Sequence, residues 1–323
     1  MNLKNILVTG IGGVVGQGIL RNISDMRLLN DIIGINTIKV SAGNHLCDKV
    51  YEVPFAYDPS YIGTIEKICV DENVGLIIPS TDYESYYLAK HRSQLPCVLA
   101  SCSEEVTNFS LDKYLNYQAF AKYSIPFAKS VLPSDYQNEF EKIIIKPREG
   151  RGSRGIHINP DNPKSFSDSN LIQEYLEGDE LTTTFYIRID GSLHGLITFK
   201  RELEQGNTSK AEVVFDYDEE ISLIIKKMIK HYGYKGSCNI QSKVTNRGVI
   251  PFEINSRISG TNSVRAQFGF PDVAYTVQEY LLGQSITLPK VNKGTALRMI
   301  FDVIYPEISL KQIDNNKDKF YIH

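Results

Sequence analysis

Residues 236–260 read GSCNIQSKVTNRGVIPFEINSRISG. Two runs rich in apolar residues flank an Asn-Arg-Gly turn signal, which predicts a β-hairpin. Because side chains alternate between the two faces of a strand, Glu253, Asn255 and Arg257 project from one face, and the hairpin can bring Gln241 beside them. One carboxylate and two amides supply oxygen ligands of the kind that Mg²⁺ accepts. The alternative is the solvated polar face of an edge hairpin.

The pattern Gln241…Glu253-x-Asn255-x-Arg257 resembles the metal-binding hairpin of the ATP-grasp superfamily, and its Asn-Ile-Gln version is most similar to one synthetase repeat of the carbamoyl-phosphate synthase large subunit. The resemblance implies that Gln241, Glu253 and Asn255 hold two Mg²⁺ ions on ATP, for which Mn²⁺ can substitute. It also implies that Arg257 contacts the transferred phosphoryl group. The expected fold is α/β, with a Rossmann-like parallel sheet before a two-lobed ATP-grasp domain that has a mobile lid.

A strand that ends in Lys146 is followed by a glycine-rich, basic loop over residues 148–155. Free backbone N–H groups in such a loop can surround phosphate oxygens, although the P-loop pattern is absent; a flexible turn is the alternative. The resemblance implies a lid that closes over ATP. The residues it assigns to the phosphates and the lid are Lys113, Lys146, Gly150, Gly152, Ser153 and Gly155.

An apolar strand that begins at Leu171 is interrupted by a glycine and then resumes. In the resemblance, the backbone after this strand binds adenine and a following carboxylate binds the ribose hydroxyls. The residues so predicted are Glu174, Tyr175 and Leu176 for adenine and Glu180 for ribose. Glu177 is the alternative ribose ligand.

Basic residues flank a polar loop upstream of the hairpin. Lys210 lies there, and near an anionic reaction centre it could hold a substrate carboxylate. We therefore predict a catalytic role for Lys210 together with Arg257. The alternative for Lys210 is a solvated loop.

The first hundred residues open with an apolar strand at 6–9, a glycine turn that extends to Gly16, and a helix. Strand, glycine turn and helix are typical of a Rossmann-like sheet. The third glycine of the dinucleotide pattern is out of frame, and Asn36 stands where an acidic residue usually binds ribose. A tight turn is therefore favoured over a cofactor site. Asp82 and Glu84 follow a later strand, and the start of a helix is favoured over substrate contacts.

Three local elements are also predicted. Ser110 is expected to cap a helix that leads into Lys113. An amphipathic helix is expected over 221–232 and a late strand over 297–303. The residues expected on the inner face of that helix are Leu223, Ile224, Met228 and Ile229.

A length of 323 residues predicts two domains, which we place at 1–107 and 108–323, with a lid subdomain at about 125–185. A net charge of −3 gives no general attraction to nucleic acid or membranes. Five scattered cysteines without a Cys-x-x-Cys pair indicate reduced thiols and a cytoplasmic location. Small-molecule partners are expected, and a homodimer is kept as an option.

These features together predict an ATP-dependent carboxylate–amine ligase. Transfer of the γ-phosphoryl group of ATP to a carboxylate gives an acyl phosphate, which an amine or similar nucleophile can attack. Cations and metal ions spread the negative charge of such a transfer. The alternatives are a small-molecule kinase on the same fold and a dinucleotide-dependent oxidoreductase, which would leave the second domain unexplained.

Overall fold

The computed structural model describes residues 4–150, 154–313 and 319–323. Two compact units are present. The first comprises residues 1–104, 257–291 and 298–323, and the second comprises residues 105–256 and 292–297. The predicted domain boundaries follow the order of the chain, whereas spatial compactness assigns most residues after 256 to the first unit.

Residues 4–111 contain five strands and four helices among the described positions. They are β1 (Asn5–Val8), α1 (Val14–Asp25), β2 (Ile32–Asn36), β3 (Lys49–Glu52), α2 (Tyr61–Asp71), β4 (Val74–Ile78), α3 (Asp82–Lys90), β5 (Val98–Leu99) and α4 (Glu104–Leu111). The five strands form one parallel sheet in the order β3-β2-β1-β4-β5. The predicted Rossmann-like parallel sheet is therefore confirmed.

Both faces of this sheet are covered, which is why its inner strands are apolar at nearly every position. One face packs Leu7 and Ile77 against α2 and α3. The other face packs Ile6 and Leu76 against α1. Ile258 and other residues from beyond position 257 complete this second core, which explains their place in the first unit.

The glycine turn after β1 is used for close packing. Gly10 has a φ of +56°, a conformation that favours glycine. A Cβ on Gly16 would lie 2.5 Å from the Gly10 carbonyl oxygen. These contacts support the tight-turn interpretation of the glycines.

Residues 112–255 contain two sheets. Their elements are α5 (Lys113–Lys122), β6 (Ser130–Val131), β7 (Ile143–Pro147), β8 (His157–Ile158), β9 (Asn170–Glu174), β10 (Glu180–Ile187), β11 (Leu193–Glu204), β12 (Asn207–Val214), α6 (Asp218–Tyr232), β13 (Gly236–Thr245) and β14 (Gly248–Asn255). The described remainder adds α7 (Asn262–Gln267), α8 (Asp272–Tyr280), β15 (Thr295–Leu297), β16 (Val303–Ile304) and β17 (Tyr321–Ile322).

The second unit holds a six-stranded antiparallel sheet in the order β14-β13-β10-β11-β12-β15 and a four-stranded sheet in the order β6-β9-β7-β8. The predicted hairpin is confirmed, since β13 and β14 pair and Thr245 lies opposite Gly248. Gly248 has a φ of +95°, which a glycine adopts without steric cost. Thus the antiparallel sheets follow the parallel one, as expected.

Three local predictions were wrong in part. Asp112, rather than Ser110, caps α5, because its carboxylate accepts the N–H groups of the first turn while Ser110 lies inside α4. Leu223 of α6 is exposed, although Ile224 and Met228 are buried as predicted. Positions 297–303 are not one strand, because β15 ends at 297 and pairs with β12.

Candidate nucleotide site

A cavity of about 360 Å³ lies within the second unit, in the size range of small-molecule pockets. The β7 and β9 strands, the hairpin of β13 and β14, and the start of α5 all contribute to its walls. The predicted site residues that line it are Lys113, Lys146, Gly150, Glu174, Tyr175, Leu176, Glu180, Gln241 and Glu253.

Lys113 is held at the cavity by the first turn of α5. Its ammonium group donates to the Gly150 carbonyl oxygen at 2.9 Å. The neighbouring Asp112 carboxylate caps the helix and binds the Arg148 guanidinium, with Nε to Oδ2 at 3.0 Å. The Asp-Lys pair therefore joins α5 to the start of the glycine-rich loop.

Lys146 is the most buried cation of the cavity wall, with 6% of its surface exposed. Its Nζ donates to the Phe252 carbonyl oxygen at 3.3 Å and lies 5.3 Å from the centre of the Phe252 ring. Burial lowers the pKa of Lys146 to about 8; the Glu253 and Glu180 carboxylates act in the opposite direction, and Lys113 adds to the lowering. A bound anion would favour the charged ammonium.

The segment predicted to bind adenine, residues 174–176, lies at the end of β9 and lines the cavity. The Glu174 carboxylate accepts the Lys129 N–H at 2.9 Å and pairs with Arg247 at 2.9 Å. The Tyr175 N–H donates to the Lys142 carbonyl oxygen at 2.9 Å. The Glu174 N–H likewise donates to the Lys129 carbonyl oxygen at 2.9 Å, so backbone recognition of adenine would use groups of this segment other than these two N–H groups.

Glu180 lies in a row of charged side chains on three neighbouring strands. It faces Lys243 in the pairing of β10 with β13, and their charged groups are 3.4 Å apart. On the other side, Arg201 of β11 donates from Nε to Glu180 Oε1 at 2.9 Å. Glu180 thus lines the cavity, and its carboxylate already has two cationic partners.

Arg201 is a cavity residue that the sequence analysis did not select. Besides Glu180, it binds Gln241, with Nη2 to Oε1 at 2.6 Å. The sequence feature that could have indicated Arg201 is its basic pair with Lys200, which follows an apolar run. Its partners became evident only from the order and register of β11, β10 and β13.

The hairpin brings Gln241, Glu253 and Asn255 together. Gln241 Nε2 lies 3.3 Å from Glu253 Oε1 and 3.4 Å from Asn255 Oδ1. Asn255 Nδ2 donates to Glu253 Oε1 at 3.2 Å. Within the described ranges, no three His, Cys, Asp or Glu side chains form a metal-binding group. One carboxylate and two amides suit Mg²⁺ that also binds substrate phosphates, so the donor set fits a nucleotide-bound metal.

Two predicted catalytic residues are not in the cavity lining. Arg257 belongs to the first unit, where its Nη2 binds Asp82 Oδ2 at 2.6 Å.

Glu84 accepts hydrogen bonds from Thr9 and Thr81 and so stabilises the first turn of α3. This arrangement favours the helix-start interpretation for Glu84.

Lys210 lies on β12, where its ammonium pairs with Glu202 at 2.8 Å and both side chains are exposed. The structure therefore does not bring Lys210 to the cavity.

Of the predicted lid residues, Gly155 is described and has a φ of +68°. Gly152 and Ser153 lie outside the described residues.

A Rossmann-like parallel sheet, followed by antiparallel sheets and a lysine-lined cavity, defines the ATP-grasp class of fold. Two family models match the sequence: "PylC-like, N-terminal domain" over residues 6–98, and "ATP-grasp in the biosynthetic pathway with Ter operon" over residues 166–303. Residues 166–303 therefore resemble an ATP-grasp domain, and residues 6–98 resemble a PylC-like N-terminal domain.

Solved structures agree on the fold. N5-carboxyaminoimidazole synthetase from Staphylococcus aureus, complexed with ADP, matches with a TM-score of 0.73 and 12% identity over 92% of this chain and 83% of that chain. The biotin carboxylase domain of Hydrogenobacter thermophilus 2-oxoglutarate carboxylase matches with a TM-score of 0.72 and 13% identity over 100% and 86%. Phosphoribosylglycinamide synthetase from Anaerococcus prevotii matches with a TM-score of 0.66 and 15% identity over 95% and 86%. A search of curated proteins returned no match.

Among the described residues, no helix is both long enough and apolar enough to cross a bilayer.

Proposed function

We propose that this chain is an ATP-dependent ligase that activates a carboxylate as an acyl phosphate for attack by an amine or similar nucleophile, with release of ADP and phosphate. The observation that carries the proposal is the convergence of Lys113, Lys146 and the Glu253 hairpin on one cavity of an ATP-grasp domain. Lysine cations and oxygen ligands in the wall of one cavity suit a nucleoside triphosphate with its metal.

The cavity residues have separate roles in this proposal. Lys113 and Lys146 bind the phosphates, and the segment Glu174–Leu176 binds adenine through its backbone. Glu180 binds the ribose hydroxyls. Burial of Lys146 strengthens its attraction to an anion, because the surrounding medium screens charge less than water does.

The hairpin holds the metal in this proposal. Gln241, Glu253 and Asn255 would bind two Mg²⁺ ions, or Mn²⁺ in their place, on the nucleotide. Bound metal would neutralise charge on the phosphates and hold them for in-line transfer. The side chains themselves supply one negative charge, which leaves the phosphates to complete the coordination.

The bound ligands and the names of the similar structures support this assignment. One of the N5-carboxyaminoimidazole synthetase structures contains ADP, and the biotin carboxylase domain was crystallised with MgADP and bicarbonate. Both names contain a carboxy group. The use of ATP to activate a small carboxylate is our proposal for this chain.

The roles of Arg257 and Lys210 stay predictions. Arg257 would stabilise the acyl phosphate, and its bond to Asp82 would orient the guanidinium. Lys210 would hold a substrate carboxylate, although its exposed pair with Glu202 gives this role no support from contacts. Small-molecule partners, an optional homodimer and a cytoplasmic location belong to the proposal in the same way.

The test is a screen for ADP release over pools of carboxylates, each with and without pools of amines, at fixed Mg²⁺. A ligase requires both substrates for rapid turnover, and phosphate appears in proportion to ADP. Glu253→Gln should abolish that turnover, whereas Glu66→Gln, at an exposed position of α2, serves as the matched control. Rapid turnover with a hydroxyl compound alone, and a stable phosphorylated product, would instead indicate a kinase.

A further inference from the structure

Arg201 joins the two halves of the proposed nucleotide site. Only 10% of its side chain is exposed. Through one guanidinium it binds Glu180, the proposed ribose ligand, and Gln241, a proposed metal ligand. A planar guanidinium can hold two acceptors in a fixed relation, so the orientations of these two side chains are linked.

The bond from Arg201 determines which way the Gln241 amide faces. Its oxygen accepts from the guanidinium at 2.6 Å, and its NH₂ group therefore points toward Glu253 and Asn255. The reverse orientation would set the amide NH₂ against a guanidinium, and both of these groups are donors. Arg201 thus selects one of the two amide orientations.

The selected orientation is not the one that binds metal. Mg²⁺ takes oxygen ligands, and the Gln241 oxygen faces away from the other two ligands. A half turn of the amide would put that oxygen where Nε2 now lies, 3.3 Å from Glu253 Oε1 and 3.4 Å from Asn255 Oδ1. Adjacent ligands of an octahedral Mg²⁺ are about 3 Å apart, given metal–oxygen distances of about 2.1 Å. The Gln241 oxygen would then lie close to the spacing that the metal requires from each of the other two oxygens.

We propose that Arg201 is a positioning residue that holds Gln241 in a non-ligating orientation, so that a divalent metal must displace the guanidinium to recruit the Gln241 oxygen. This inference rests on the proposed function, because the metal is the one carried by the nucleotide. On displacement, Arg201 keeps its bonds to Glu180 and gains a free N–H arm within the cavity. An anionic phosphate is the acceptor to which this arm would donate.

A purely structural ion pair does not account for these contacts. Lys243 already lies 3.4 Å from Glu180, so the carboxylate keeps a cationic partner when Arg201 is replaced. The bond from Arg201 to Gln241 adds nothing to the neutralisation of Glu180. Its specific consequence is the orientation of the amide.

The test is a double-mutant cycle on metal affinity. Mn²⁺ binding to the full chain in the presence of ADP is measured by electron paramagnetic resonance for the wild type, Arg201→Met, Gln241→Ala and the double variant. Loss of one hydrogen bond to a charged group corresponds to about a tenfold change in an equilibrium constant. We expect Arg201→Met to lower the dissociation constant for Mn²⁺. The factor by which it does so should be about ten times larger with Gln241 present than in the Gln241→Ala background.

The control for charge is Arg201→Lys, which keeps the positive charge but removes the planar fork. Arg201→Lys should tighten Mn²⁺ binding less than Arg201→Met does, and it should do so only when Gln241 is present. If Arg201→Met does not fold, Arg201→Lys takes its place in the cycle. The inference would be overturned if the Arg201 substitution changed Mn²⁺ affinity equally in both Gln241 backgrounds. It would also be overturned if, with Gln241 present, the Arg201 variant bound Mn²⁺ more weakly than the wild type. Either result would leave the proposed function standing. A wild type that binds no Mn²⁺ with ADP would overturn the proposed function and the inference together.

Discussion

The charge state of Lys146 should control nucleotide affinity as pH rises. Burial lowers the pKa of this lysine to about 8, against the opposing effect of Glu253 and Glu180 and with a further lowering by Lys113. Above that pH the side chain is neutral and no longer attracts phosphate. Bound phosphate favours the charged form, so binding takes up a proton and weakens as protons become scarce.

The size of the effect follows from the pKa. A group with a pKa of about 8 is about 90% protonated at pH 7 and about 10% protonated at pH 9. If only the charged form binds phosphate well, ATP affinity should fall about tenfold between these pH values. The second ionisation of a phosphate group has a pKa of about 6. The phosphates of ATP therefore contribute little to the fall in affinity between pH 7 and pH 9.

The assay is displacement of a fluorescent ADP analogue by ATP, measured from pH 6.5 to 9.5. Lys146→Arg keeps its charge throughout this range and should lose most of the pH dependence. Lys227→Arg, on the exposed side of α6, is the matched control and should behave as the wild type does. A wild-type affinity that is constant from pH 7 to 9, or an equal fall in Lys146→Arg, would refute the reasoning.

Three further substitutions test other parts of the structure. Glu253→Gln should abolish ATP turnover while the thermal unfolding curve stays unchanged; turnover equal to that of the wild type at matched Mg²⁺ would exclude Glu253 as the metal carboxylate. Glu180→Ala should raise KM for ATP more than it lowers kcat, because ribose contacts are equal in the ground and transition states; the opposite pattern in steady-state kinetics would contradict the ribose assignment. Arg265→Met breaks a fully buried ion pair with Asp272 and should lower the free energy of unfolding by about 3–5 kcal/mol in a denaturant titration; a loss below about 1 kcal/mol would contradict that estimate.

Much of the fold was predictable because its signals are local. The apolar runs of β1 and β4 predicted buried parallel strands, and the Asn-Arg-Gly turn predicted the hairpin of β13 and β14. The order of short motifs along the chain placed Lys113, Lys146 and Glu253 in one predicted site, and all three line the cavity. Gln241 and Glu253 face each other because strand pairing puts them in register.

The features that the sequence could not predict depend on contacts between distant parts of the chain. The partners of Arg201 depend on which strands flank β10, and sheet order is not written in local sequence. Ile258 packs into the core of the first sheet, although no local pattern distinguishes this from packing within the second unit. Lys210 occupies a basic, polar stretch that resembles a site, but its strand directs it to Glu202 and solvent.

The most direct test of the proposed chemistry is oxygen transfer from the carboxylate substrate. Once the screen has identified that substrate, its carboxylate is labelled with ¹⁸O and the released phosphate is analysed by mass spectrometry. Formation of an acyl phosphate, followed by attack of the amine on its carbonyl carbon, predicts one ¹⁸O atom in each phosphate released. Unlabelled phosphate would contradict an acyl phosphate intermediate and, with it, the assignment of this chain as a ligase of this type.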